Sequence, residues 1–287
     1  MGKSILIVGG NGFIGSSIAR GLVHDHTVHC TYQNEYTPID GVQYHHLKEI
    51  ADKDYCRLVA NKAMPEVIIY AAGSNEPQEY EDDQFKAQVV FSGGPGAMLA
   101  ATEVMKSKFI FISSDFVFAG NEGNYAEKDT ALSFTQFGKG KVGGENYVRS
   151  RSLNHMIIRC APLMGRGPID HPSWLDRWRE TLLLGKPLKV PSKTYHNPAP
   201  VSALIDTLKQ IIAQEIKNKT LHVGGLSKVS PFEIAKLFAK KFGYSSETIR
   251  ISDEQSNANY DYSLNFSETL KLLQTEPLLL EQCLDLI

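Results

Sequence analysis

The sequence lacks the features typical of membrane proteins and nucleic-acid-binding proteins. It contains no run of 18 consecutive apolar residues, the length that a membrane-spanning helix needs. Its 30 basic and 32 acidic residues are interspersed and give a formal net charge of −2, so no basic patch is available to attract a nucleic acid or an anionic membrane. The chain also begins without the charged and apolar segments of a secretory leader. We therefore expect a cytoplasmic protein without nucleic-acid or membrane partners.

Cysteine is also scarce, and the histidines are not arranged as metal ligands. The four cysteines, Cys30, Cys56, Cys160 and Cys283, are far apart and form no C-x-x-C pair, so neither a disulfide framework nor a zinc site is predicted. The nine histidines do not place two imidazoles on one helical face beside a carboxylate cluster. We expect reduced, mostly buried cysteines and no bound metal.

Glycine, in contrast, is concentrated near the start of the chain. The segment Gly9–Gly15 follows the apolar run Ile5–Val8 and precedes apolar residues at helical spacing. A glycine-rich turn between a strand and a helix lets the backbone approach a pyrophosphate at the helix N-terminus, and we expect the closest approach at Gly12. This context favours a dinucleotide site over an ordinary turn. The residues expected to contact the cofactor here are Gly9, Asn11, Gly12, Phe13, Ile14 and Gly15.

Strand and helix patterns alternate through the first half of the chain. Apolar strands are predicted at 27–32, 67–73, 109–114 and 155–159, with helices over about 52–63 and 85–106 between them. This order predicts an α/β fold with a Rossmann-type doubly wound parallel sheet, whose strand ends form one crevice.

The second half of the chain suggests a smaller unit. A Gly-, Pro- and Trp-rich segment follows Cys160, and Ser230-Pro231-Phe232-Glu233 predicts a helix start with Gly243 as the stop. We assign residues 1–160 and about 198–220 to the dinucleotide-binding domain. Residues of about 161–197 and 221–287 are assigned to a mixed α/β substrate-binding domain.

Three motifs at strand ends resemble those of the extended short-chain dehydrogenase/reductases, in particular their dTDP-4-dehydrorhamnose reductase-like branch. They are the G-x-x-G-x-x-G of Gly9, Gly12 and Gly15, the segment Ala71-Ala72-Gly73, and the segment Ser113-Ser114-Asp115-Phe116-Val117-Phe118. The resemblance extends over nearly the whole chain and implies an NAD(P)-dependent reductase of a nucleotide-linked keto-sugar. The further cofactor-binding residues that it implies are Tyr32, Gln33, Asn34, Ala71, Ala72, Gly73, Ser113 and Lys141.

The chain departs from this family at its catalytic motif. The family's Tyr-x-x-x-Lys is here Phe137-Gly138-Lys139-Gly140-Lys141. In the family the tyrosine hydroxyl gives a proton to the substrate carbonyl, the lysine binds the nicotinamide ribose, and a serine or threonine, here Ser114, orients the carbonyl. Lys141 and Ser114 therefore match, whereas Phe137 cannot donate a proton. A second departure places Phe91 where the family has an asparagine. The nearest alternative proton donors in the sequence are Tyr125, Ser114 and Asp115.

The sequence indicates the choice between NAD and NADP, and the residues that contact the substrate, less directly than it indicates the cofactor loop. NAD-selective sites place a carboxylate at the end of the second strand, where this chain has Tyr32, and this favours NADP over NAD. In the second unit an indole could stack on a sugar and an arginine could bind a diphosphate, although the two tryptophans could equally pack a small helix against the sheet. The residues expected to contact the substrate are Ser114, Phe116, Trp174, Arg177 and Asn197.

Three functions remain open at this point. The first is a nucleotide-sugar reductase, with full or impaired catalysis. The second is a non-catalytic cofactor-binding or regulatory subunit, a role that also occurs in this branch. The third is a sugar-nucleotide epimerase or dehydratase in which Asp115 or another side chain handles protons, although the sequence offers no carboxylate–tyrosine pair to support it. The resemblance also implies a homodimer formed through the helices at about 85–106 and 137–150.

Overall fold

A seven-stranded parallel sheet organises the structure, which is a computed structural model describing residues 2–74, 76–253 and 258–287. The strand order is β11-β6-β5-β4-β1-β2-β3, with every neighbouring pair parallel. This confirms the predicted doubly wound α/β sheet, and the order reverses between β1 and β4. The strands are β1 (Ser4–Val8), β2 (Thr27–Tyr32), β3 (Gln43–His46), β4 (Val67–Tyr70), β5 (Lys108–Ser114), β6 (His155–Cys160), β7 (Leu163–Met164), β8 (Leu188–Val190), β9 (Thr194–Tyr195), β10 (Ala199–Pro200), β11 (Lys219–Val223), β12 (Ile249–Ile251) and β13 (Tyr260–Asp261).

Helices cover both faces of this sheet. One apolar core lies beneath α1 and α8 and the other beneath α2, α5 and α6. The central strands are buried on both faces, which explains their continuous apolar sequences. The helices are α1 (Phe13–Leu22), α2 (Lys53–Ala63), α3 (Gln78–Glu81), α4 (Gln84–Gln88), α5 (Gly94–Thr102), α6 (Gln136–Arg151), α7 (Trp174–Leu183), α8 (Val201–Ala213), α9 (Pro231–Phe242), α10 (Ser267–Leu272) and α11 (Leu280–Asp285).

The helix predicted over 85–106 is interrupted. A π-helical turn, Val89–Gly93, separates α4 from α5, and a 3₁₀ turn replaces the last residues. The Tyr70 hydroxyl donates to the Val90 carbonyl at 2.5 Å, and Gly94 has no Cβ that would collide with that hydroxyl. The interruption therefore comes from a contact with β4, which helical periodicity does not register.

The smaller unit has its own apolar core, formed mainly by α7, α9, α11 and the β8–β12 pair. Its helix α9 begins after the predicted capping box of Ser230 and Glu233 and ends at Gly243, with φ of 75°. The large sheet continues past residue 220, because β11 pairs with β6 up to Val223. The edge strand β3 was not predicted. The domain assignment stays a prediction.

We expect three histidines, of which His29 and His222 are buried and His45 is half-buried, to make the fold sensitive to acid. Burial and the nearby Arg159 charge lower the pKa of His222 to about 4, and burial also lowers the pKa values of His29 and His45, whose rings stack with Nδ1 and Nε2 at 2.8 Å. The unfolded chain therefore binds more protons than the folded chain below the usual histidine pKa of 6.5. Stability is consequently present above pH 6.5 and is lost as the pH falls towards 4.

We expect the free energy of unfolding to fall by roughly 2–3 kcal/mol because of His222 between pH 6.5 and 4. Urea unfolding of the wild-type chain and of His222→Gln across this range measures the effect, since the carboxylates titrate alike in both proteins. The variant should lose distinctly less stability than the wild type. Parallel pH dependences would show that His222 is not held neutral by the fold.

Candidate functional site

The glycine loop lies at the carboxyl end of β1, beside the point where the strand order reverses. Gly9 has φ of +84°, and a Cβ there would collide with the backbone of Ala72. Gly15 packs equally closely on the Gly9 carbonyl. Around Gly12, the N-cap of α1, a Cβ would meet among the described residues only the Gly9 oxygen, at 3.6 Å. The first-turn N–H groups of α1 have no intrahelical acceptors, so the loop fits a dinucleotide pyrophosphate at a helix N-terminus.

Two alanine substitutions should separate these roles. Gly12→Ala should lower affinity for a nicotinamide dinucleotide by at least about tenfold while changing stability by no more than about 1 kcal/mol, because its Cβ meets ligand space rather than protein. Gly15→Ala should destabilise the fold by about 1–3 kcal/mol through overpacking. Cofactor titration and urea unfolding of both variants measure this contrast. Unchanged affinity in Gly12→Ala would show that the pyrophosphate does not lie there.

The first two residues at the end of β2 make side-chain contacts within the protein. The Tyr32 ring lies 4.5 Å from that of Tyr36 and 5.4 Å from that of His46. The Gln33 side chain donates to the Lys48 carbonyl at 3.2 Å, and Asn34 is exposed. An aromatic ring therefore occupies the position at which NAD-selective sites place a carboxylate.

A segment of the smaller unit lies across the glycine loop and the β2–β3 connection. Asn11 Nδ2 donates to the Glu35 carbonyl at 3.1 Å and lies 2.8 Å from His171 Nε2. Thr37 donates to Asp170 at 3.0 Å. These contacts join the glycine loop to His171 and the β2–β3 connection to Asp170, so this segment lies beside the start of α1.

Arg177, expected at a substrate diphosphate, is paired with a carboxylate. Its guanidinium forms an ion pair with Glu76, in the segment after β4, and donates to the Pro172 carbonyl at 2.8 Å. Burial lowers the Arg177 pKa. A substrate phosphate would compete with Glu76 for this guanidinium.

A cavity of about 190 Å³ lies where the ends of β4, β5 and β6 meet the start of α1. Residues of the glycine segment, of the segments that begin at Ala71 and Ser113, and of the Phe137–Lys141 motif line this cavity. Other predicted site residues form the walls behind it or lie elsewhere along the cleft. The predicted residues that line the cavity are Phe13, Ile14, Ala71, Ser113, Ser114, Asp115, Phe116, Phe137, Lys141 and Trp174.

Three further residues that we predict to contact a ligand are held by contacts within the protein. Ala72 packs against Gly9, and Gly73, with φ of +107°, packs against the Phe91 ring. Asn197 is buried and accepts from the Leu264 N–H at 2.6 Å. None of the three lines the cavity, and their assignment as ligand contacts stays a prediction.

Lys141 lies in the cavity wall among aromatic rings. Its ammonium donates to the Ile112 carbonyl at 3.0 Å and lies 4.2 Å from the ring centroid of Phe91 and 5.6 Å from that of Phe137. Burial lowers its pKa to about 8, against the opposing influence of Cys160 and Glu145. The lysine is therefore held by one carbonyl and by cation–π contacts.

Phe137 belongs to a compact aromatic cluster. Its ring centroid lies 5.3 Å from that of Phe91, 5.7 Å from Tyr80 and 5.9 Å from Phe116. Phe91 comes from the π-helical turn and is fully buried between Gly73 and Lys141. The two positions at which the sequence departs from the family pattern are thus in direct contact, and together they replace polar groups with phenyl rings.

One hydrogen-bonded chain beside the cavity includes a residue that the sequence did not single out. Ser114 Oγ donates to Asp115 Oδ1 at 3.0 Å, and Asp115 Oδ2 lies 2.6 Å from His196 Nδ1. Asp115 and His196 are buried. His196 was missed because 81 residues separate it from Asp115. The only local signal was its position next to the predicted Asn197.

Tyr125, one of the alternative proton donors, uses its hydroxyl in hydrogen bonds within its own loop. Its hydroxyl donates to Asn121 at 2.9 Å and accepts two backbone N–H groups, and its ring stacks on Phe118. It does not line the cavity. Of the three alternatives, Ser114 and Asp115 are therefore the ones at the site.

Trp174 meets the cavity, but its polar group is satisfied by the protein. The indole N–H donates to the Leu163 carbonyl at 2.7 Å, and its ring makes an edge contact with Trp178 at 4.7 Å. Both tryptophans pack against the core of the smaller unit. These contacts agree with the packing alternative, although Trp174 also presents surface to the cavity.

In residues 2–74, 76–253 and 258–287, no group of three or more His, Cys, Asp or Glu side chains is placed to hold a metal ion. Within the same residues, no helix is long and apolar enough to span a membrane. All four cysteines are free and buried.

One protein family, one curated relative and two solved structures illustrate what this chain is similar to. The family described as RmlD substrate binding domain matches residues 3–261. Methionine adenosyltransferase 2 subunit beta of Mus musculus is 22% identical and aligns over 96% of this chain and 84% of its own. The crystal structure of dTDP-4-dehydrorhamnose reductase from Bacillus anthracis in complex with NADP has a TM-score of 0.84 at 20% identity, covering 99% and 98% of the two chains. The enzyme WbmH of Bordetella bronchiseptica in complex with NAD+ has a TM-score of 0.82 at 16% identity, covering 98% and 96%.

Proposed function

We propose that this chain, which belongs to the RmlD substrate binding domain family, binds a nicotinamide dinucleotide and slowly reduces a keto group on a nucleotide-linked sugar. One observation carries this proposal. Ser114 and Lys141 line the same cavity as the first residues of α1, while Phe137 occupies the wall where the family's tyrosine would stand. The groups for binding cofactor and carbonyl are retained, and the usual proton donor is absent.

The residues present fit the cofactor. The first turn of α1 and Gly12 would hold the pyrophosphate, and Lys141 would bind the nicotinamide ribose after leaving the Ile112 carbonyl. When bound, the reduced cofactor supplies a hydride. The Ser114 hydroxyl, which donates to Asp115 in this structure, would turn to donate a hydrogen bond to the substrate carbonyl. Phe116 and Phe137 would exclude water from one side. General-acid catalysis contributes about 10²- to 10⁴-fold, so a site without the tyrosine should be slower by a factor in that range.

NADP is the preferred cofactor in this proposal. Tyr32 at the end of β2 offers no carboxylate to accept from the ribose hydroxyls or to repel a 2′-phosphate. The solved relatives include a complex with NADP and another with NAD+. We therefore expect both reduced cofactors to bind, NADPH with higher affinity than NADH.

A second function is favoured by a specific observation. The cluster of Phe91, Phe137 and Tyr80 is compact and fully buried apart from the cavity edge of Phe137, and one relative at 22% identity is named as a subunit of another enzyme. A cofactor-binding subunit without catalysis would keep the glycine loop and could dispense with the proton donor.

Titration and turnover distinguish the two functions. Quenching of protein fluorescence by NADPH and NADH measures binding, and a panel of nucleotide-linked keto-sugars measures reduction. The reductase proposal expects saturable NADPH binding and slow turnover with at least one sugar. Binding without turnover for any sugar would favour the non-catalytic subunit, and absence of binding would contradict both.

A further inference from the structure

We propose that Asp115 and His196 form a proton relay that returns a proton to the Ser114 hydroxyl and so replaces the missing tyrosine only in part, as a less efficient proton source. This inference rests on the proposed reductase function. Ser114 lines the cavity next to Phe137, and its hydroxyl is joined through Asp115 to His196 by contacts of 3.0 and 2.6 Å. The relay thus begins at the hydroxyl expected to bind the substrate carbonyl.

The surroundings hold the pair in a fixed geometry. His196 is paired through its backbone with Val229, and its ring lies between Tyr262, stacked at 5.3 Å, and Phe116, also at 5.3 Å. Asp115 begins a 3₁₀ turn after β5, in which Ser114 is the N-cap and accepts from the Phe116 N–H. The Oδ2–Nδ1 distance of 2.6 Å places the carboxyl and the imidazole in direct hydrogen-bonding contact.

The proton transfer balances without any further reactant beyond the nicotinamide cofactor and water. In the reactive state that we propose, the pair holds one proton in excess of a carboxylate and a neutral imidazole. This proton lies on Asp115 Oδ1 and is donated to Ser114 Oγ, which frees the serine proton for the substrate, while His196 Nδ1–H donates to Oδ2. As the carbonyl carbon is reduced, the carbonyl oxygen takes the proton of Ser114 Oγ, and Oγ takes the excess proton of the pair through Asp115 Oδ1. The pair is left as a carboxylate and a neutral imidazole, and water returns the proton. In this scheme Ser114 is the catalytic residue, and His196 is a positioning residue that acts through Asp115.

Other titratable groups around the pair do not replace it. Burial and the Asp115 charge raise the pKa of Tyr262 to about 12. Burial raises the pKa of Cys160, on β6, to about 12 as well, although Lys141 opposes this shift. Lys141 has its pKa lowered to about 8 by burial, and it is directed to the Ile112 carbonyl rather than to Asp115.

The decisive experiment compares His196→Asn in two backgrounds. In the otherwise wild-type chain we expect the rate of single-turnover reduction to fall by at least about tenfold and the acidic limb of its pH profile to change. In the Phe137→Tyr background the tyrosine supplies the proton, and the same substitution should cost no more than about threefold. His222→Gln, which alters a buried histidine outside the relay, serves as the matched control and should leave both rates unchanged.

Two measurements on the wild-type chain keep the test independent of variant folding. The proton inventory in mixtures of H₂O and D₂O should be curved, since more than one proton moves. A strongly downfield imidazole Nδ1–H resonance should be present in the NMR spectrum and be lost in Asp115→Asn. A linear inventory, or equal effects of His196→Asn in both backgrounds, would overturn the relay while leaving the reductase proposal intact. Absence of any wild-type turnover would overturn both.

Discussion

Phe137→Tyr is expected to raise the rate of keto-sugar reduction by about 10²- to 10⁴-fold, the usual contribution of a positioned general acid. The Phe137 ring already lines the cavity shared by Ser114 and Lys141, so the substitution adds a hydroxyl to the wall of the cavity in which we expect the carbonyl to react. Lys141, 5.6 Å from the ring centroid, would lower the tyrosine pKa by its charge. Single-turnover kinetics with reduced cofactor measures the change.

Phe116→Tyr provides the matched control for this gain. It adds the same hydroxyl to a neighbouring ring of the same cavity, 5.9 Å from Phe137. We expect it to change the rate by less than about tenfold, because its hydroxyl is not aligned by the lysine. Equal gains in both variants would mean that any added hydroxyl suffices. No gain in Phe137→Tyr would mean that the wild-type site already has an efficient donor or does not perform this chemistry.

Glu145→Gln is expected to destabilise the fold by about 3–5 kcal/mol, because it leaves the buried Arg159 charge without a compensating carboxylate. Glu145 Oε2 lies 2.9 Å from Arg159 and 2.8 Å from Arg149, and its Oε1 accepts from Ser113 at 2.6 Å. Burial raises the Glu145 pKa, but hydrogen bonds and the charge of Arg159 outweigh it, and the pKa lies below its usual value. The ion pair therefore contributes stability above the usual glutamate pKa of 4.5, and that contribution is lost as the pH falls further.

Urea unfolding at neutral pH tests the destabilisation, with Asp54→Asn as the control. Asp54 pairs with Arg57 at 3.0 Å on the surface, and loss of an exposed pair should cost less than about 1 kcal/mol. Similar small effects in both variants would show that Glu145 is not needed to neutralise Arg159. The network also matters to the site, since Ser113 is predicted to contact the cofactor and its hydroxyl is committed to Glu145.

The parts of the fold that follow from local sequence were predicted well. The glycine loop, the five inner strands of the sheet and helix α9 each have signals within a few residues, such as the capping box of Ser230 and Glu233. The π-helical turn and β3 were not predicted. The turn depends on a hydrogen bond between Tyr70 and Val90, and β3 is a short, partly exposed edge strand that pairs with β2. Such features depend on tertiary contacts that periodicity does not contain.

The site was predictable where its residues follow parallel strands. Ser114, Asp115 and Ala71 end neighbouring strands, and they meet at one cavity as the topology requires. Arg177 and His196 show the limit of this reasoning. The Arg177 side chain pairs with Glu76, 101 residues away, and His196 reaches Asp115 across 81 residues. Which polar group pairs with which is decided by packing between the two units.

The most direct test of the account is hydride transfer by the unmodified protein. NADPH carrying deuterium at the transferable position of nicotinamide C4 would be incubated with the wild-type chain and nucleotide-linked keto-sugars, and the sugar products analysed by mass spectrometry. We predict one deuterium in the carbon-bound position of the new alcohol, formed slowly and much faster by Phe137→Tyr. Saturable NADPH binding without deuterium in any sugar would contradict the reductase function and identify the chain as a non-catalytic cofactor-binding protein.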